Sequence, residues 1–358
     1  MRVLQLIDSL DAGGAERVAV NMANTLSKKI DKSFLCATRK EGLLKASISN
    51  SVGYLYLNKQ KTIDLNAIKA LNTFIKKNHI NIIHAHSSSF FLATIMKLLN
   101  GKLAVLWHDH YGNSEFLAIR KYRVLKLCSR YFSHIFSVNK TLEIWAKENL
   151  KFESVSYLPN FATADKNLAV TTLKGTHGKR IICLANLRPQ KDHFTLIDAF
   201  KRVVQLFPDW TLHCVGKDFN DEYSKEVKTK IETLGLQKSI FVYGSKPDVF
   251  NILQQCEVGV LSSKSEGLPM ALLEYGLAHL AVITTDVGEC SSVVLNAQNG
   301  LLINPLSVDE LSESLILYLE NKSLRNTYSA QFKAHVIKEF SEASQLKYIL
   351  DIYNSAVK

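Results

Sequence analysis

Residues 3–7 read Val-Leu-Gln-Leu-Ile, and residues 180–187 read Arg-Ile-Ile-Cys-Leu-Ala-Asn-Leu. Each run opens a series in which short apolar segments alternate with segments of helical period. The apolar segments are nearly continuous in Val, Ile and Leu, which is typical of strands buried on both faces. The sequence therefore predicts parallel sheets covered by helices, and the restart at residue 180 predicts two such domains.

The expected elements follow from these runs. In the first half we expect strands at 3–7, 33–37, 54–57, 80–84, 102–107 and 135–138, with helices at 15–27, 64–77, 90–99 and 115–131. In the second half we expect strands at 180–187, 210–215, 240–243, 258–261 and 281–284, with helices at 193–207, 223–235, 247–255, 269–278, 308–320, 324–339 and 343–356. A polar stretch, 161–179, is interpreted as the linker region. The predicted domains are 1–160 and 161–342, and the terminal segment 343–358 is expected to pack back on the first domain.

The charge of the chain is unevenly distributed. Of 358 residues, 47% are hydrophobic and 22% charged, a globular composition that excludes wholesale disorder. The net charge is +11, and the excess lies in residues 1–160, which hold 23 Lys and Arg against 11 Asp and Glu. A charge of this size favours nucleic acid, phosphorylated metabolites or an acidic membrane face as partners. A solvated basic surface that only aids solubility is the alternative.

The six cysteines include no C-x-x-C pair, which in a chain this large favours free thiols in a reducing compartment. The chain reaches Asp8 too soon for a signal peptide. The longest charge-free stretch, 78–96, is too polar to span a bilayer. We therefore expect a cytoplasmic protein, either soluble or peripheral at the inner face of the membrane.

Gly13 and Gly14 follow the first predicted strand and precede the first predicted helix. Glycines let a ligand approach the backbone closely, and a helix N-terminus offers N–H groups at the positive end of its dipole. The segment is therefore a candidate phosphate-binding loop. A plain tight turn is the alternative, and the G-x-G-x-x-G dinucleotide pattern is absent.

The stretch 186–191 reads Asn-Leu-Arg-Pro-Gln-Lys and follows the first strand of the second half. Arg188 and Lys191 thus lie at the carboxyl end of a parallel strand, where α/β sheets bind ligands. An Arg fork with a Lys point charge suits a diphosphate. A surface charge pair is the alternative.

Glu266 and Glu274 flank a Gly-Leu-Pro turn that starts a predicted helix. The backbone N–H groups of this turn can receive a phosphate or a sugar hydroxyl. Glu274 stands in an otherwise apolar segment, where an unpaired buried charge is costly, so we predict that it binds hydroxyl groups. A helix-capping Glu followed by a core-edge Glu is the alternative.

These segments resemble the retaining glycosyltransferases of family 4, also called glycosyl transferases group 1. The resemblance rests on Gly-Gly-Ala-Glu at 13–16 and on the E-x7-E spacing of Glu266 and Glu274. Similar pieces occur at 159–161, 215–216, 243–244, 262–267 and 300–305, so the resemblance covers nearly the whole chain. It implies the α/β GT-B architecture, in which two Rossmann-like, doubly wound parallel-sheet domains face a cleft.

The resemblance implies an enzyme that moves a sugar from a nucleoside diphosphate to a hydroxyl of a glycan or polyprenyl-linked acceptor, with retention of anomeric configuration. Bacterial surface polysaccharide assembly is the expected setting, with a UDP-sugar as favoured donor and a GDP-sugar next. No metal or other cofactor is expected, because the chain has no D-x-D motif and GT-B enzymes do not typically need one. No nucleic-acid partner is expected.

The resemblance also implies residue roles. Lys191, with an Arg nearby, would neutralise the donor diphosphate, and Glu274 would bind the ribose hydroxyls. The family's usual Arg is replaced by Asn186, and Arg188, two residues on, is the candidate to take its part.

Other donor-binding candidates come from the same motifs. Glu266, with the backbone of residues 267–270, would hold the transferred sugar and the phosphates. Glu266, Lys191 and Arg188 are therefore counted among the catalytic candidates. The full set of further donor candidates is Gly13, Gly14, Asn186, Tyr243, Gly244, Glu266, Gly267, Leu268, Pro269 and Met270, while Glu16, His86 and His108 are assigned to the acceptor side or left open.

Two histidine pairs, His84 with His86 and His108 with His110, each end a predicted strand. Alternate residues of a strand share a face, so either pair could chelate a metal ion. The family places a His where His110 lies, near the donor sugar and acceptor, which makes His110 the catalytic candidate and His108 the second choice. His84 is expected to be structural, and the role of His86 is undecided.

The stretch 118–132 predicts an amphipathic helix. Its apolar members are Ile119, Tyr122, Leu125 and Cys128, and its cations cover the rest. We interpret the helix as a contact with an anionic membrane, from which a lipid-linked acceptor could be reached. A packed helix with a solvated basic face is the alternative.

Three other functions compete with sugar transfer. A dehydrogenase is disfavoured by the missing dinucleotide pattern. Nucleic-acid binding is disfavoured because the basic half has no recognisable binding motif. An epimerase or phosphorylase of the same architecture is the nearest alternative.

Overall fold

The computed structural model describes residues 1–11, 13–112, 114–162 and 169–357. The chain divides into two compact units. The first consists of Met1–Phe161 with Glu342–Lys358, and the second of Ala162–Ser341. Part of the predicted linker, 163–168, lies outside the described residues.

The first unit is built on a parallel sheet of seven strands in the order β3-β2-β1-β4-β5-β6-β7. The strands are β1 (Arg2–Ser9), β2 (Lys32–Lys40), β3 (Gly53–Tyr56), β4 (Ile82–His86), β5 (Ala104–Asp109), β6 (His134–Ser137) and β7 (Val155–Tyr157). The helices that follow them are α1 (Gly14–Leu26), α2 (Leu65–Lys77), α3 (Phe90–Leu99), α4 (Arg123–Ser129) and α5 (Lys140–Trp145). The strand β7 has no counterpart among the predicted strands, because three residues are too few to show a period.

The second unit is built on a parallel sheet of six strands in the order β10-β9-β8-β11-β12-β13. The strands are β8 (Arg180–Leu184), β9 (Thr211–Val215), β10 (Ile240–Val242), β11 (Val258–Leu261), β12 (Ala281–Thr285) and β13 (Leu301–Ile303). The helices are α6 (His193–Leu206), α7 (Glu222–Thr233), α8 (Val249–Leu253), α9 (Met270–Leu277), α10 (Cys290–Val293), α11 (Val308–Glu320) and α12 (Lys322–Glu339). Two Rossmann-like parallel-sheet units confirm the predicted fold class.

The last helix, α13 (Glu342–Ala356), belongs to the first unit although it comes from the other end of the chain. Leu346, Ile349 and Tyr353 are buried at a spacing of three to four residues, so one face of the helix packs inward. The hydroxyl of Tyr353 lies 2.6 Å from Nδ1 of His84 on β4. The hydrogen bond of His84 on β4 is therefore formed with a helix that is distant in sequence.

Short polar side chains begin several helices. Asp64 accepts a hydrogen bond from the N–H of Ala67 in α2 at 3.1 Å, and Asn139 accepts one from Leu142 in α5 at 2.7 Å. Each cap satisfies an N–H group that has no partner within its helix, which is worth about 1 kcal/mol.

The predicted helix at 115–131 is wrong in its extent. A 3-10 turn, Ser114–Ile119, and the short helix α4 occupy this stretch. The helix is interrupted where Arg120 turns inward and donates two hydrogen bonds to Asp109, at 2.7 and 2.8 Å. Arg120 is therefore not one of the surface cations that the sequence analysis predicts.

All six cysteines are free and buried. Burial raises the pKa of every one of these thiols, so they stay protonated and unreactive at neutral pH. Across the described ranges, no helix combines the length and apolar character needed to cross a membrane.

Candidate active site

The loop after β8 carries the predicted diphosphate cations. Pro189–Lys191 forms a single 3-10 turn, and Asp192 adopts a left-handed φ of 49° immediately before α6. The side chain of Asn186 accepts a hydrogen bond from the N–H of Lys217 at 2.8 Å. Asn186, which stands at the position of the family's Arg, therefore connects this loop to the loop after β9 by a hydrogen bond.

Arg188 lies on the surface of this loop. Its guanidinium carbon is 4.4 Å from the ring centroid of Phe219, and the Lys217 ammonium is 5.0 Å from the same ring. Both contacts are cation–π interactions. Among the described residues no carboxylate pairs with Arg188, so its charge is available to an anion.

Lys191 and Glu266 form the central ion pair of the second unit. The ammonium of Lys191 lies 2.6 and 2.7 Å from the two oxygens of Glu266. The hydroxyl of Ser263 donates to the same carboxylate at 2.6 Å. The Glu266 side chain is only 6% exposed, whereas that of Lys191 is 20% exposed, so the cation is the more accessible member.

The loop that contains Glu266 is held from both sides. The hydroxyl of Ser262 donates to the carbonyls of Lys191 and Asp192, at 3.2 and 3.0 Å. The N–H of Lys264 donates to the carbonyl of Gln190 at 2.7 Å. These bonds fix the Glu266 loop against the Lys191 loop, so the ion pair rests on a rigid support.

Gly288 supports the same loop from the end of β12. It has a positive φ of 56°, and a Cβ atom there would lie 2.1 Å from the carbonyl oxygen of Glu266. The next residue, Glu289, donates its N–H to the carbonyl of Gly267 at 2.9 Å. Gly288 was not among the predicted site residues, and its available signal was an isolated Gly four residues after the predicted strand 281–284.

The helix α9 begins at Met270, with Pro269 as its N-cap residue. The side chains of Leu268 and Met270 are buried, so only their backbone groups remain for a ligand. Glu274 is half-buried within the helix. Its neighbour Tyr275 is fully buried, and the Tyr275 hydroxyl accepts a hydrogen bond from the last N–H of β8 at 2.7 Å. This bond fixes the helix that carries Glu274 to the central strand.

The hydroxyl of Tyr243 has two partners within the second unit, and the role of Tyr243 in donor binding stays a prediction. Its hydroxyl accepts a hydrogen bond from the N–H of Lys174 at 3.0 Å and lies 3.1 Å from Nδ1 of His213. The phenol oxygen therefore serves the interior of the second unit. The carbonyl of Gly244 is used as well, because it accepts the N–H of Gly216 at 3.1 Å.

In the first unit, Gly13 is the N-cap residue of α1, and the helix begins at Gly14. A Cβ atom on Gly13 would lie 2.2 Å from Oε2 of Glu16, so the Glu16 side chain folds back over the glycine. The hydroxyl of Ser9 donates to Oε1 of Glu16 at 2.9 Å. The glycine-rich loop is thus shaped by a carboxylate at the positive end of the helix dipole.

The four predicted histidines gather on one face of the first sheet. His84 and His86 lie on β4, His108 lies opposite His86 on β5, and His110 follows β5. Ring centroids are 4.7 Å apart for His84 and His86 and 4.0 Å apart for His108 and His110. Burial lowers the pKa of all four, that of His110 to about 3, so the rings are neutral at pH 7.

A metal ion is one conceivable occupant of this cluster. His84, His86 and His108 have nitrogens within 4.8 Å of one another. The rings of His84 and His86 are only 4° from parallel, so their in-plane lone pairs do not converge on one point. Both nitrogens of His86 are hydrogen-bonded, at 2.8 Å to Gln5 and at 3.0 Å to His110. By contrast, Nε2 of His84 and both nitrogens of His108 have no hydrogen-bond partner among the described residues. A hydrogen-bonded network therefore accounts for His86 and not for the whole cluster, and the metal-free reaction stays a prediction.

The segment that carries His110 is anchored by the buried pair of Asp109 and Arg120, whose side chains are 2% and 8% exposed. The guanidinium also lies 4.1 Å from the ring centroid of Trp145 and 4.4 Å from that of Tyr111. Neither partner of the pair was among the predicted site residues. The run His108, Asp109 and His110 at a strand end was an available signal for Asp109. Nothing in the sequence indicates that Asp109 pairs with Arg120, which lies 11 residues further along the chain.

The residues on either side of Arg120 in the chain, between 116 and 131, form an exposed surface. Its large apolar side chains are Phe116 (55% exposed), Ile119 (78%), Val124 (54%), Leu127 (60%) and Tyr131 (42%). Three cations, Lys121, Arg123 and Arg130, are exposed among them. We call these eight residues the basic–apolar patch.

The buried side of α4 includes Leu125 and Cys128, which were predicted to be apolar members of a longer helix. Ile119, predicted to share their face, points to solvent instead, because the chain is broken before α4 begins.

Two family models match the chain. Glycosyltransferase Family 4 matches residues 12–166, and Glycosyl transferases group 1 matches residues 166–335. The chain therefore belongs to the family 4 glycosyltransferases, as its motifs predicted, and it is a glycosyltransferase. This assignment decides against the dehydrogenase alternative.

Similar proteins agree with the family. The chain is 25% identical over 371 residues to the UDP-Gal:alpha-D-GlcNAc-diphosphoundecaprenol alpha-1,3-galactosyltransferase of Escherichia coli, with 95% of this chain and 93% of the relative covered. It is 22% identical over 287 residues to the lipopolysaccharide core biosynthesis mannosyltransferase LpsB of Rhizobium meliloti, with 77% and 79% covered. The structure of Anabaena Alr3699/HepE in complex with UDP and glucose matches with a TM-score of 0.81 at 19% identity, covering 99% of each chain. This likeness confirms the GT-B fold.

Proposed function

We propose that this glycosyltransferase transfers a sugar from a UDP-sugar to a hydroxyl of a polyprenyl-diphosphate-linked glycan, with retention of configuration, in the assembly of a bacterial surface polysaccharide. The observation that carries the proposal is the Lys191–Glu266 pair, held with Ser263 in the loop that leads into α9. An accessible cation, a hydrogen-bonding carboxylate and the amides at a helix start suit a sugar attached to a diphosphate. The name of the Escherichia coli relative, which specifies UDP-Gal and a diphosphoundecaprenol acceptor, supports both substrates.

The cations meet the charge of the leaving group. During transfer the bond between the anomeric carbon and the phosphate oxygen breaks, and negative charge develops on the departing diphosphate. Lys191 has three N–H donors, so it can bond a phosphate oxygen while it keeps Glu266. Fixed cations and amides stabilise this developing charge more than the ground state, which is the basis for metal-independent transfer.

Glu266 is committed to Lys191 and Ser263, which suits a hydrogen-bond acceptor for a sugar hydroxyl rather than a nucleophile. The acceptor hydroxyl then attacks from the face that the diphosphate leaves, and its proton passes to the departing phosphate oxygen. Attack on that face retains the configuration. His110, neutral at pH 7, contributes a hydrogen bond to a sugar or acceptor hydroxyl.

The donor assignment is tested by thermal shift with UDP, GDP and ADP and their sugars. UDP and UDP-sugars are expected to raise the melting temperature most. Glu274→Ala should weaken UDP binding by about tenfold or more, since a hydrogen bond to a charged group is worth roughly 1.5–3 kcal/mol. Glu232→Ala, at an exposed acid of α7, is the matched control and should leave the Kd unchanged. Unchanged affinity in Glu274→Ala would remove the ribose assignment, and stabilisation by GDP alone would overturn the donor.

We propose further that the basic–apolar patch rests on an anionic membrane surface, where polyprenyl-linked acceptors reside. Val124 and Leu127 share the solvent-facing side of α4, and exposed cations flank them. Apolar side chains can enter the boundary between headgroups and acyl chains, while each cation near an anionic leaflet contributes about 1 kcal/mol.

This membrane contact is tested by sedimentation with vesicles of phosphatidylcholine, with and without phosphatidylglycerol. Wild-type protein should bind the anionic vesicles and release at high salt. Lys121→Ala/Arg123→Ala and Ile119→Ser/Leu127→Ser should each reduce binding several-fold. Leu65→Ser/Leu206→Ser, at exposed leucines outside the patch, is the matched control. Absence of salt-sensitive binding by the wild type would reject the contact.

A further inference from the structure

A chain of hydrogen bonds runs from α13 to His110. The hydroxyl of Tyr353 lies 2.6 Å from Nδ1 of His84 and 3.3 Å from Nε2 of Gln5. Oε1 of Gln5 lies 2.8 Å from Nε2 of His86, and Nδ1 of His86 lies 3.0 Å from Nε2 of His110. Tyr353, His84, Gln5 and His86 are fully buried, whereas His110 is half-buried. His110 is thus the member of the chain that a ligand can reach.

The direction of these bonds determines the tautomer of His110. Burial lowers the pKa of His86 and His110 far below neutrality, so each ring carries one N–H. The oxygen of Gln5 can only accept, so Nε2 of His86 donates and Nδ1 of His86 accepts. Nε2 of His110 must then donate to His86. This leaves Nδ1 of His110 without a proton, as a hydrogen-bond acceptor.

The Gln5 amide is placed with its oxygen towards His86 and its nitrogen towards the Tyr353 hydroxyl, a group that can both donate and accept. The amide nitrogen donates to the Tyr353 hydroxyl, and that hydroxyl donates to Nδ1 of His84. Each donor from Tyr353 to His110 then meets an acceptor, whereas Nε2 of His84, which carries the proton in this arrangement, has no hydrogen-bond partner among the described residues. The terminal helix thereby joins the network that links the first strand to His110.

We propose that Gln5, His86 and Tyr353 are positioning residues that hold His110 in its Nε2–H tautomer, with Nδ1 presented to a substrate hydroxyl. The proposal rests on the proposed function of His110 in sugar transfer. It also specifies the chemistry of the contact, because a neutral acceptor binds a hydroxyl donor and not a phosphate oxygen. His110 thereby recognises the sugar or the acceptor alcohol, while the diphosphate is left to the second unit.

The tautomer is measured directly by 15N NMR of the full chain labelled at histidine, with His110→Ala to assign the signals. We expect His110 to show a protonated Nε2 and an unprotonated Nδ1 at pH 7. A protonated Nδ1, or an equal mixture of both tautomers, overturns the proposal. This measurement needs no substrate, so its failure is distinct from a wrong donor or acceptor.

Two variants then link the tautomer to turnover. Tyr353→Phe keeps the ring and removes only the hydroxyl, and Gln5→Leu removes the relay to His86. In both variants the tautomers of His110 should mix, and kcat should fall about fivefold, the effect of one neutral hydrogen bond, with donor KM unchanged. If Gln5→Leu fails to fold, Tyr353→Phe carries the test.

The matched control is Tyr318→Phe, which removes the hydroxyl of a buried tyrosine that donates to the Val282 carbonyl at 3.1 Å in the second unit. Its His110 signals and kcat should match the wild type. An unchanged kcat in Tyr353→Phe despite mixed tautomers would reject the positioning role and leave the donor assignment intact.

Discussion

The two units of this glycosyltransferase share one architecture but place their polar groups in opposite ways. The first unit gathers neutral imidazoles on buried strands, with His84 and His86 inside the sheet face itself. The second unit keeps its strands apolar at the centre and sets Lys191 against Glu266 in the loops beyond them. The contacts of the first unit depend on the direction of hydrogen bonds between neutral groups, whereas those of the second depend on the sign of paired charges.

The difference has a consequence for what each unit can bind. A network of neutral donors and acceptors can distinguish the hydroxyls of a sugar or alcohol, because every hydrogen bond in it has a fixed direction. Paired charges near a surface can exchange one partner for a phosphate. In the proposed reaction, the first unit therefore recognises hydroxyl groups and the second unit stabilises charge.

The largest expected effect concerns a charged contact in the first unit, the buried ion pair of Asp109 and Arg120. This pair is an exception to the contrast between neutral groups in the first unit and charges in the second. Arg120→Leu leaves the Asp109 charge buried and unpaired, which should cost about 3–5 kcal/mol of unfolding free energy. Denaturant titration measures the loss. Arg202→Leu removes an arginine from the exposed pair with Asp309 and should cost roughly 1 kcal/mol or less.

A loss below that of the Arg202 control would show that Asp109 is satisfied without Arg120. The double change Asp109→Asn/Arg120→Leu should recover part of the stability, since it removes the uncompensated charge.

The second prediction concerns charge stabilisation in the second unit. Lys191→Ala should lower kcat by a few hundredfold, corresponding to about 3–4 kcal/mol of lost transition-state stabilisation. The measurement is steady-state transfer with the preferred nucleotide sugar. Lys230→Ala, at a surface lysine paired with Asp198, should retain full activity. A decrease of less than tenfold in Lys191→Ala would remove Lys191 from the diphosphate.

The third prediction concerns the dependence of stability on pH, to which each histidine contributes only a small part. Burial lowers the pKa of five histidines in the described first unit and of two in the described second unit. Between the lowered values and about 6.5, the unfolded chain binds protons that the folded chain does not, so stability is present above pH 6.5 and lost as the pH falls. Each such imidazole contributes up to about 1.4 kcal/mol per pH unit.

We therefore expect the first unit to open before the second as the pH is lowered from 7 to 4. Hydrogen exchange followed by mass spectrometry would locate the opening. Earlier exchange in the second unit would contradict the assignment of neutral, buried histidines to the first.

Much of the fold was predictable because its signals are local. Continuous apolar runs identified six strands of the first sheet and five of the second, while β7 and β13, with three residues each, were too short to show a period. The helix predicted at 115–131 failed for a different reason. Arg120 reads as a surface cation in the sequence, and only its pairing with Asp109 in the folded unit turns it inward.

The candidate site divides in the same way. The residues of the E-x7-E motif and Lys191 were recognisable because their spacing follows the strand–loop–helix unit that holds them. Gly288 and Gln5 were not, because their partners lie on elements that are distant along the chain.

By itself the sequence determined two parallel-sheet units, their family and the loops that carry the polar motifs, since hydrophobic period and local spacing act over a few residues. The tertiary structure decided which polar groups meet. It paired Lys191 with Glu266, and it brought Tyr353 of the last helix beside His84 and Gln5 of the first sheet. Such pairings depend on how elements pack, because a buried donor must find its acceptor in space, whatever their separation along the chain.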